Sequence, residues 1–343
     1  MDRSTKNRLV SAVKSVAMIA GGLAIVAYLI WSNWGEIVEQ FRDRTISWGY
    51  LAAGFTVCLS ATVLTFLRWY LLVWAQELPF RLRDSLRIGF IGYAFNLLIP
   101  GAVGGDLVKA VLLVREQERR TVALATVLID RIVGLYGMIL LAGLVTGFYG
   151  SEIQSSAELR QVALFTGVLV AISTCGMLVL FSQRFLRSRF TAWAGRQPIV
   201  GGPFAETVLA MSGYRSRWRV VALAVVMSII GHVGFVLTLR LAMSAFADTL
   251  PPGRVHFMLA PLGLMMGAVP LTPGGLGLAE GAMERLFEFA GHSGALTIVM
   301  MVAYRGMQVV IAAIGMTYYL VSRRETVKVH STAYQPGLNP PGA

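Results

Sequence analysis

Apolar residues in this chain fall in long blocks rather than scattered positions. Six blocks have the length and apolar density of a full membrane crossing: 10–31, 48–74, 122–148, 162–181, 218–242 and 295–320. A helix needs about 20 apolar residues to cross a hydrocarbon core of roughly 30 Å. Several of these blocks carry Trp or Tyr at their ends, where amphipathic rings anchor at the headgroup level.

Two further apolar regions are interrupted. Residues 87–114 are cut by Pro100-Gly101-Ala102-Val103-Gly104-Gly105-Asp106, and residues 255–289 by Pro270-Leu271-Thr272-Pro273-Gly274-Gly275-Leu276-Gly277. As a helix, residues 87–99 reach about 20 Å, too short to cross. The pattern therefore predicts an all-α polytopic membrane protein with six full crossings plus two oppositely oriented re-entrant helical hairpins. Their breaks are expected near mid-bilayer, where irregular backbone survives only inside protein or beside water. Residues 1–321 form this membrane domain, and 322–343, with Pro336, Gly337, Pro340 and Pro341, are expected to be a disordered cytoplasmic tail.

Composition agrees. Apolar side chains make up 56% of the 343 residues and charged ones 14%, against about 25% charged in soluble domains. With a mean hydropathy of +0.65, a soluble globular domain is excluded. The net charge of +12 would point to nucleic acid in a soluble protein. Here it sets orientation instead, because Lys and Arg collect in cytoplasmic loops, and no nucleic-acid partner is expected. Under the predicted topology, Arg81 and Arg83, then Arg115, Arg119 and Arg120, then the segment 183–219 lie on the cytoplasmic side with both termini. That segment holds seven arginines against one acid, Glu206. The opposite loops lack this excess, and an additional full crossing would turn the seven arginines outward. Their contact with anionic headgroups is the less favoured reading beside orientation alone.

Cys58 and Cys175 lie in apolar stretches without metal-ligand spacing, so neither a disulfide framework nor a zinc site is expected. No Asp-x-Asp pair, Walker A sequence or nucleophile elbow occurs, and no cofactor or metal is expected. The basic N-terminus followed by a long apolar run reads as a retained helix of an inner-membrane protein rather than a cleaved signal.

Chemistry concentrates at the breaks. After Asn96, the glycines Gly104 and Gly105 lead into a new half-helix with Asp106 as a candidate cap and Lys109 about one turn on. That half-helix would start deep in the membrane and present N–H groups to a phosphate; the alternative is a structural Asp106–Lys109 pair. In the second break, Gly274 and Gly275 precede Glu280, which either carries a proton or pairs with a cation. Asp130 and Arg131 lie about 15 Å inside a crossing, and Arg305, with Gln308 one turn later, is similarly deep. Arg131 and Arg305 bind either the carboxylates of Asp106, Asp130 and Glu280 or a substrate phosphate. Arg68 and Arg240, nearer helix ends, are expected to snorkel. Glu284, Arg285 and Glu288 are expected toward the outer surface, and His232 reads as a hydrogen-bonded packing residue.

The stretch 96–109, the Asp130-Arg131 pair, the run 273–277 with Glu280, and Tyr304-Arg305 together resemble the lysylphosphatidylglycerol synthase transmembrane (flippase-like, UPF0104) family from about Trp48 to Leu320. That resemblance implies an integral inner-membrane protein that moves an aminoacylated phospholipid, or in other members serves polyprenyl-linked sugar pathways. Ala102 stands where relatives often have a basic or polar residue, and Asp130 where Glu is usual. No soluble transferase domain accompanies the chain, so the synthase activity in the family name is not expected. The leading expectation is a non-enzymatic translocase for a phospholipid or polyprenyl-phosphate lipid, bound at Asn96, Gly104, Gly105, Asp106, Lys109, Asp130, Arg131, Gly274, Gly275, Glu280 and Arg305. The alternatives are an intramembrane transferase on a lipid-linked precursor and a non-catalytic partner of a separate synthase.

Overall fold

The computed structural model describes residues 20–21, 23–41, 45–99, 104–148, 157–182, 191, 193, 210–269 and 271–333. Every regular element among them is helical. In chain order these are α1 (Leu23–Ser32), α2 (Trp34–Phe41), α3 (Trp48–Trp74), α4 (Leu82–Leu98), α5 (Gly104–Arg115), α6 (Arg120–Phe148), α7 (Ala157–Leu180), α8 (Trp218–Ser244), α9 (Gly253–Met266), a 3-10 turn Pro273–Gly275, α10 (Leu278–Phe289) and α11 (Gly294–Ala333).

Five helices, α3, α6, α7, α8 and α11, are long and apolar enough to cross a membrane, matching five of the six predicted crossings. The sixth, 10–31, falls largely outside the described residues, and its remaining part is the apolar helix α1. Helix α11 runs on through Ser322 to Ala333. The strong breakers, Pro336 and Gly337, come only afterwards, so nothing in 322–333 stops the helix.

Both interrupted regions form antiparallel helical pairs. In the first, Gly92 faces Gly105 and Lys109, and Arg87 on α4 bonds Glu116 just past α5 at 2.8 Å. The backbones touch: a Cβ on Gly105 would lie 2.2 Å from the Gly92 carbonyl oxygen. In the second, Gly263 and Gly267 face Met283 and Ala279. Its turn needs left-handed backbone at Gly274, Gly275 and Gly277, with φ of 54°, 69° and 83°. Pro100, Gly101, Ala102, Val103 and Pro270 lie outside the described residues.

Each pair has its own core. Ile88, Ala110 and Leu113 of the first pack with Trp69 of α3 and Val122 and Ala125 of α6. Leu259, Met283 and Phe287 of the second pack with Leu239 and Met243 of α8 and Met300, Tyr304 and Ile311 of α11. Helix α3 joins the two, contributing Trp69 to one core and Cys58 to the other. Helix α7 packs on α6 and buries only Thr166; the rest of its surface is what a lipid-facing helix presents.

Candidate functional site

Three carboxylate–arginine contacts organise the charged interior. Arg131 of α6 donates Nη1 to Asp106 Oδ2 at 2.6 Å and Nη2 to the Ala268 carbonyl at 3.4 Å. One guanidinium thus bonds the first pair's carboxylate and the second pair's turn. Arg305 of α11 donates Nε to Glu280 Oε1 at 2.5 Å and Nη1 to the Gly274 carbonyl at 2.8 Å and to Gln308 Oε1 at 3.0 Å. The second turn is therefore held by two arginines from two different long helices.

The tips also meet directly. A Cβ on Gly274 would lie 3.4 Å from the Asn96 carbonyl oxygen and 3.7 Å from Leu97 Cα and from Arg305 Nη1. Gly275 approaches so closely that a Cβ there would be 2.2 Å from Gly267 Cα. Asn96 Oδ1 and Thr272 Oγ1 are buried without a hydrogen-bond partner among the described residues, a costly state for polar atoms.

Lys109 takes part in the first cluster. Its Nζ lies 3.7 Å from Asp106 Oδ1 and faces the Phe66 and Trp69 rings at 5.8 and 5.5 Å from their centroids. Gly92 makes the room, since a Cβ there would sit 2.7 Å from Lys109 Cγ. Two cations thus share one carboxylate. Asp106 lies in the first turn of α5, where the helix dipole favours an anion, but among the described residues its carboxylate contacts these cations rather than a backbone N–H. The expected cap is replaced by the stronger charge-assisted contact.

Glu280 does cap. Its Oε2 accepts the Gly277 backbone N–H at 2.8 Å while Oε1 holds Arg305, so one carboxylate ends the turn and starts α10. Pairing with a cation, one of the two roles expected for it, is what the geometry contains. Glu284, expected toward the outer surface, is buried and accepts from Asn33 Nδ2 at 2.8 Å, because the α1–α2 junction covers this face of α10. Glu288 and Arg285 do form a partly exposed pair at 2.9 Å.

Asp130 points elsewhere. Successive residues on a helix diverge by about 100°, and Asp130 faces α3, where Arg68 Nε bonds its Oδ1 at 2.8 Å. Arg68, expected to snorkel, is instead buried and also donates to Ser228 Oγ of α8 at 3.0 Å. The missing side chain of Gly134 opens the space, since a Cβ there would be 3.1 Å from Arg68 Nη2. Ser228 and His232 both bond the Gly134 carbonyl, at 3.2 and 3.0 Å, which makes His232 the packing residue its surroundings implied. Asp130 thus belongs to a three-helix polar lock rather than to the contact between the tips. Arg240 donates to the Pro251 carbonyl at 2.8 Å, tying the end of α8 to the approach to α9.

Residues 18–315 match the lysylphosphatidylglycerol synthase TM region. The chain belongs to this family. It is also 24% identical over 299 residues to a UPF0104 membrane protein of Methanothermobacter thermautotrophicus, covering 81% of this chain and 86% of the relative. No solved structure matches. As a member of the lysylphosphatidylglycerol synthase TM family with five crossing-length helices, the protein is a multi-pass membrane protein.

Within this family member, sequence reading passed over Gly92, Phe66, Trp69, Ser228 and Thr272. Gly92 and Gly134 lie inside apolar helices, and only the neighbour that needs their space reveals their role. Gly143 of α6 is another such packing position, since a Cβ there would strike Val170 of α7 at 2.4 Å.

Proposed function

We propose that the protein is a lipid translocase of the cytoplasmic membrane, with no enzymatic chemistry of its own. Six crossings bring both termini to the cytoplasm, and the α4–α5 and α9–α10 pairs are re-entrant hairpins entering from opposite faces. A phospholipid or polyprenyl-phosphate headgroup passes between their tips while its chains stay in the bilayer. Pairs of broken segments meeting near the bilayer midplane are the usual setting for transport sites.

The observation that carries this reading is the charge count at the first tip. Lys109 and Arg131 both contact the single carboxylate Asp106, giving this cluster a formal charge of 2 − 1 = +1. A singly charged phosphodiester cancels it. When the phosphate takes Arg131, Asp106 remains neutralised by Lys109, so the exchange of partners leaves no carboxylate unpaired in a medium where such a charge costs several kcal/mol. Asn96 and Thr272, whose buried oxygens lack partners among the described residues, accept hydrogen bonds from a polar headgroup. At the second tip, Glu280 neutralises Arg305 one to one and fixes the wall against which the headgroup moves.

The test is leaflet exchange by the full chain reconstituted in vesicles, across a panel of phospholipids and polyprenyl phosphates. Accelerated exchange of at least one phosphate-bearing lipid is expected, with a loss of about tenfold or more in Arg131→Gln, equivalent to about 1.4 kcal/mol of barrier. Exchange no faster than in protein-free vesicles for every lipid would remove the proposal.

A further inference from the structure

A polar cavity lies apart from the hairpin tips. It has a volume of about 900 Å³ and is lined by residues of two stretches, 74–79 and 216–220. These are the C-terminal end of α3 and the N-terminal end of α8, so the cavity sits where two crossing helices leave the hydrocarbon. Trp74 and Trp218 are both exposed on its rim, as side chains are that anchor at the headgroup level.

Its charges are arranged against those rings. The Arg217 guanidinium lies 5.8 Å from the Trp74 ring centroid and that of Arg219 lies 5.9 Å from the Trp218 centroid. Arg217 also donates to the Ala75 carbonyl at 2.9 Å and contacts Glu77. Glu77 is the single acid of the lining. Its side chain is 72% exposed and its backbone is left-handed at φ 56°. Nearby, Arg119 donates to the Gln76 carbonyl just past the end of α3 and Arg215 to the Phe181 carbonyl just past the end of α7, each a cation at a helix C-terminus.

We propose that this cavity binds the headgroup of an anionic phospholipid of the cytoplasmic leaflet, with its phosphate between Arg217 and Arg219 and its glycerol against Trp74 and Trp218. The leaflet assignment rests on the orientation proposed above; the binding site does not depend on transport. Charge complementarity selects the occupant: two cations set against interfacial rings outnumber one exposed carboxylate, and anionic lipid is the anion concentrated at that depth. Glu77 is the competitor that the lipid phosphate displaces from Arg217.

The experiment titrates the full chain in detergent micelles with phosphatidylglycerol and phosphatidylcholine of equal chain length, and counts retained lipid by native mass spectrometry. Phosphatidylglycerol is expected to be retained preferentially. Arg219→Gln, for which no backbone cap is lost, should weaken that preference by about fivefold, as expected for one basic residue at an anionic surface. Glu77→Gln should strengthen it. Arg217→Gln should weaken it further, and correct folding of that variant is checked by its unfolding temperature. Unchanged preference in both Arg219→Gln and Glu77→Gln would overturn the site. So would competition by inorganic phosphate at the same concentrations as lipid, which would make it a free-anion site, or retention only when an acidic protein copurifies, which would make it a docking face. Leaflet exchange that persists while lipid retention is lost would separate this site from the transport cleft.

Discussion

The two interrupted regions share a sequence grammar and differ in what their charges are free to do. At the first tip, Asp106 and Arg131 have side chains 23% and 25% exposed, and a second cation stands within 3.7 Å. At the second tip, Glu280 is 1% exposed and Arg305 16%, and the carboxylate also caps its own helix. A pair that caps a helix, bonds a turn and is sealed from solvent is a structural latch. A pair with a spare cation and an open side can change partners. Similar motifs at corresponding positions thus differ: one is a latch, and the other is the one proposed to bind.

The largest effect should separate the two directly. Glu280→Ala leaves Arg305 and the Gly277 N–H without their carboxylate and should cost about 3–5 kcal/mol, the range for breaking a buried pair. Asp106→Ala, at a cluster whose side chains are 13–25% exposed, should cost less, about 1–3 kcal/mol. Thermal unfolding of the detergent-solubilised variants compares them, and equal losses would erase the distinction. Backbone contact comes next. Gly105→Ala would place a Cβ 2.2 Å from the Gly92 carbonyl oxygen and should destabilise by about 1–3 kcal/mol, seen as a lower unfolding temperature with the first pair opened to proteolysis.

A functional contrast follows. Lys109→Gln should slow leaflet exchange several-fold while lowering stability by less than about 1 kcal/mol, because the cation–π and long ion contacts it loses are individually modest. An unfolding loss without any change in exchange would make Lys109 a packing residue. At the small end, Arg285→Gln removes a partly exposed pair one turn apart and should shift stability by no more than about 0.5 kcal/mol. A larger shift would mean that the outward face of α10 carries more structure than its exposure indicates.

Much of the architecture was legible beforehand. Block length located five crossing-length helices, and the Pro-Gly runs marked where each helical pair is interrupted, because a break in an apolar helix needs residues that stop it. The depth of Arg131 and Arg305 in their helices called for anionic partners, either carboxylates or a substrate phosphate, and the structure places Asp106 and Glu280 against them. The choice among Asp106, Asp130 and Glu280 was not legible, nor was Arg68, whose position near a helix end suggested a snorkelling side chain. It became a buried partner because Gly134 and Ser228, on two other helices, leave it room and a hydrogen bond.

By itself, then, the sequence determined a polytopic helical membrane protein, since apolar run length and helix breakers act locally and leave a chain in lipid little other choice. Only the tertiary structure decided which acid meets which arginine and which tip stays open. Those outcomes depend on the rotation of each helix about its axis and on the approach of glycines such as Gly92 and Gly134, quantities set by packing between segments distant along the chain.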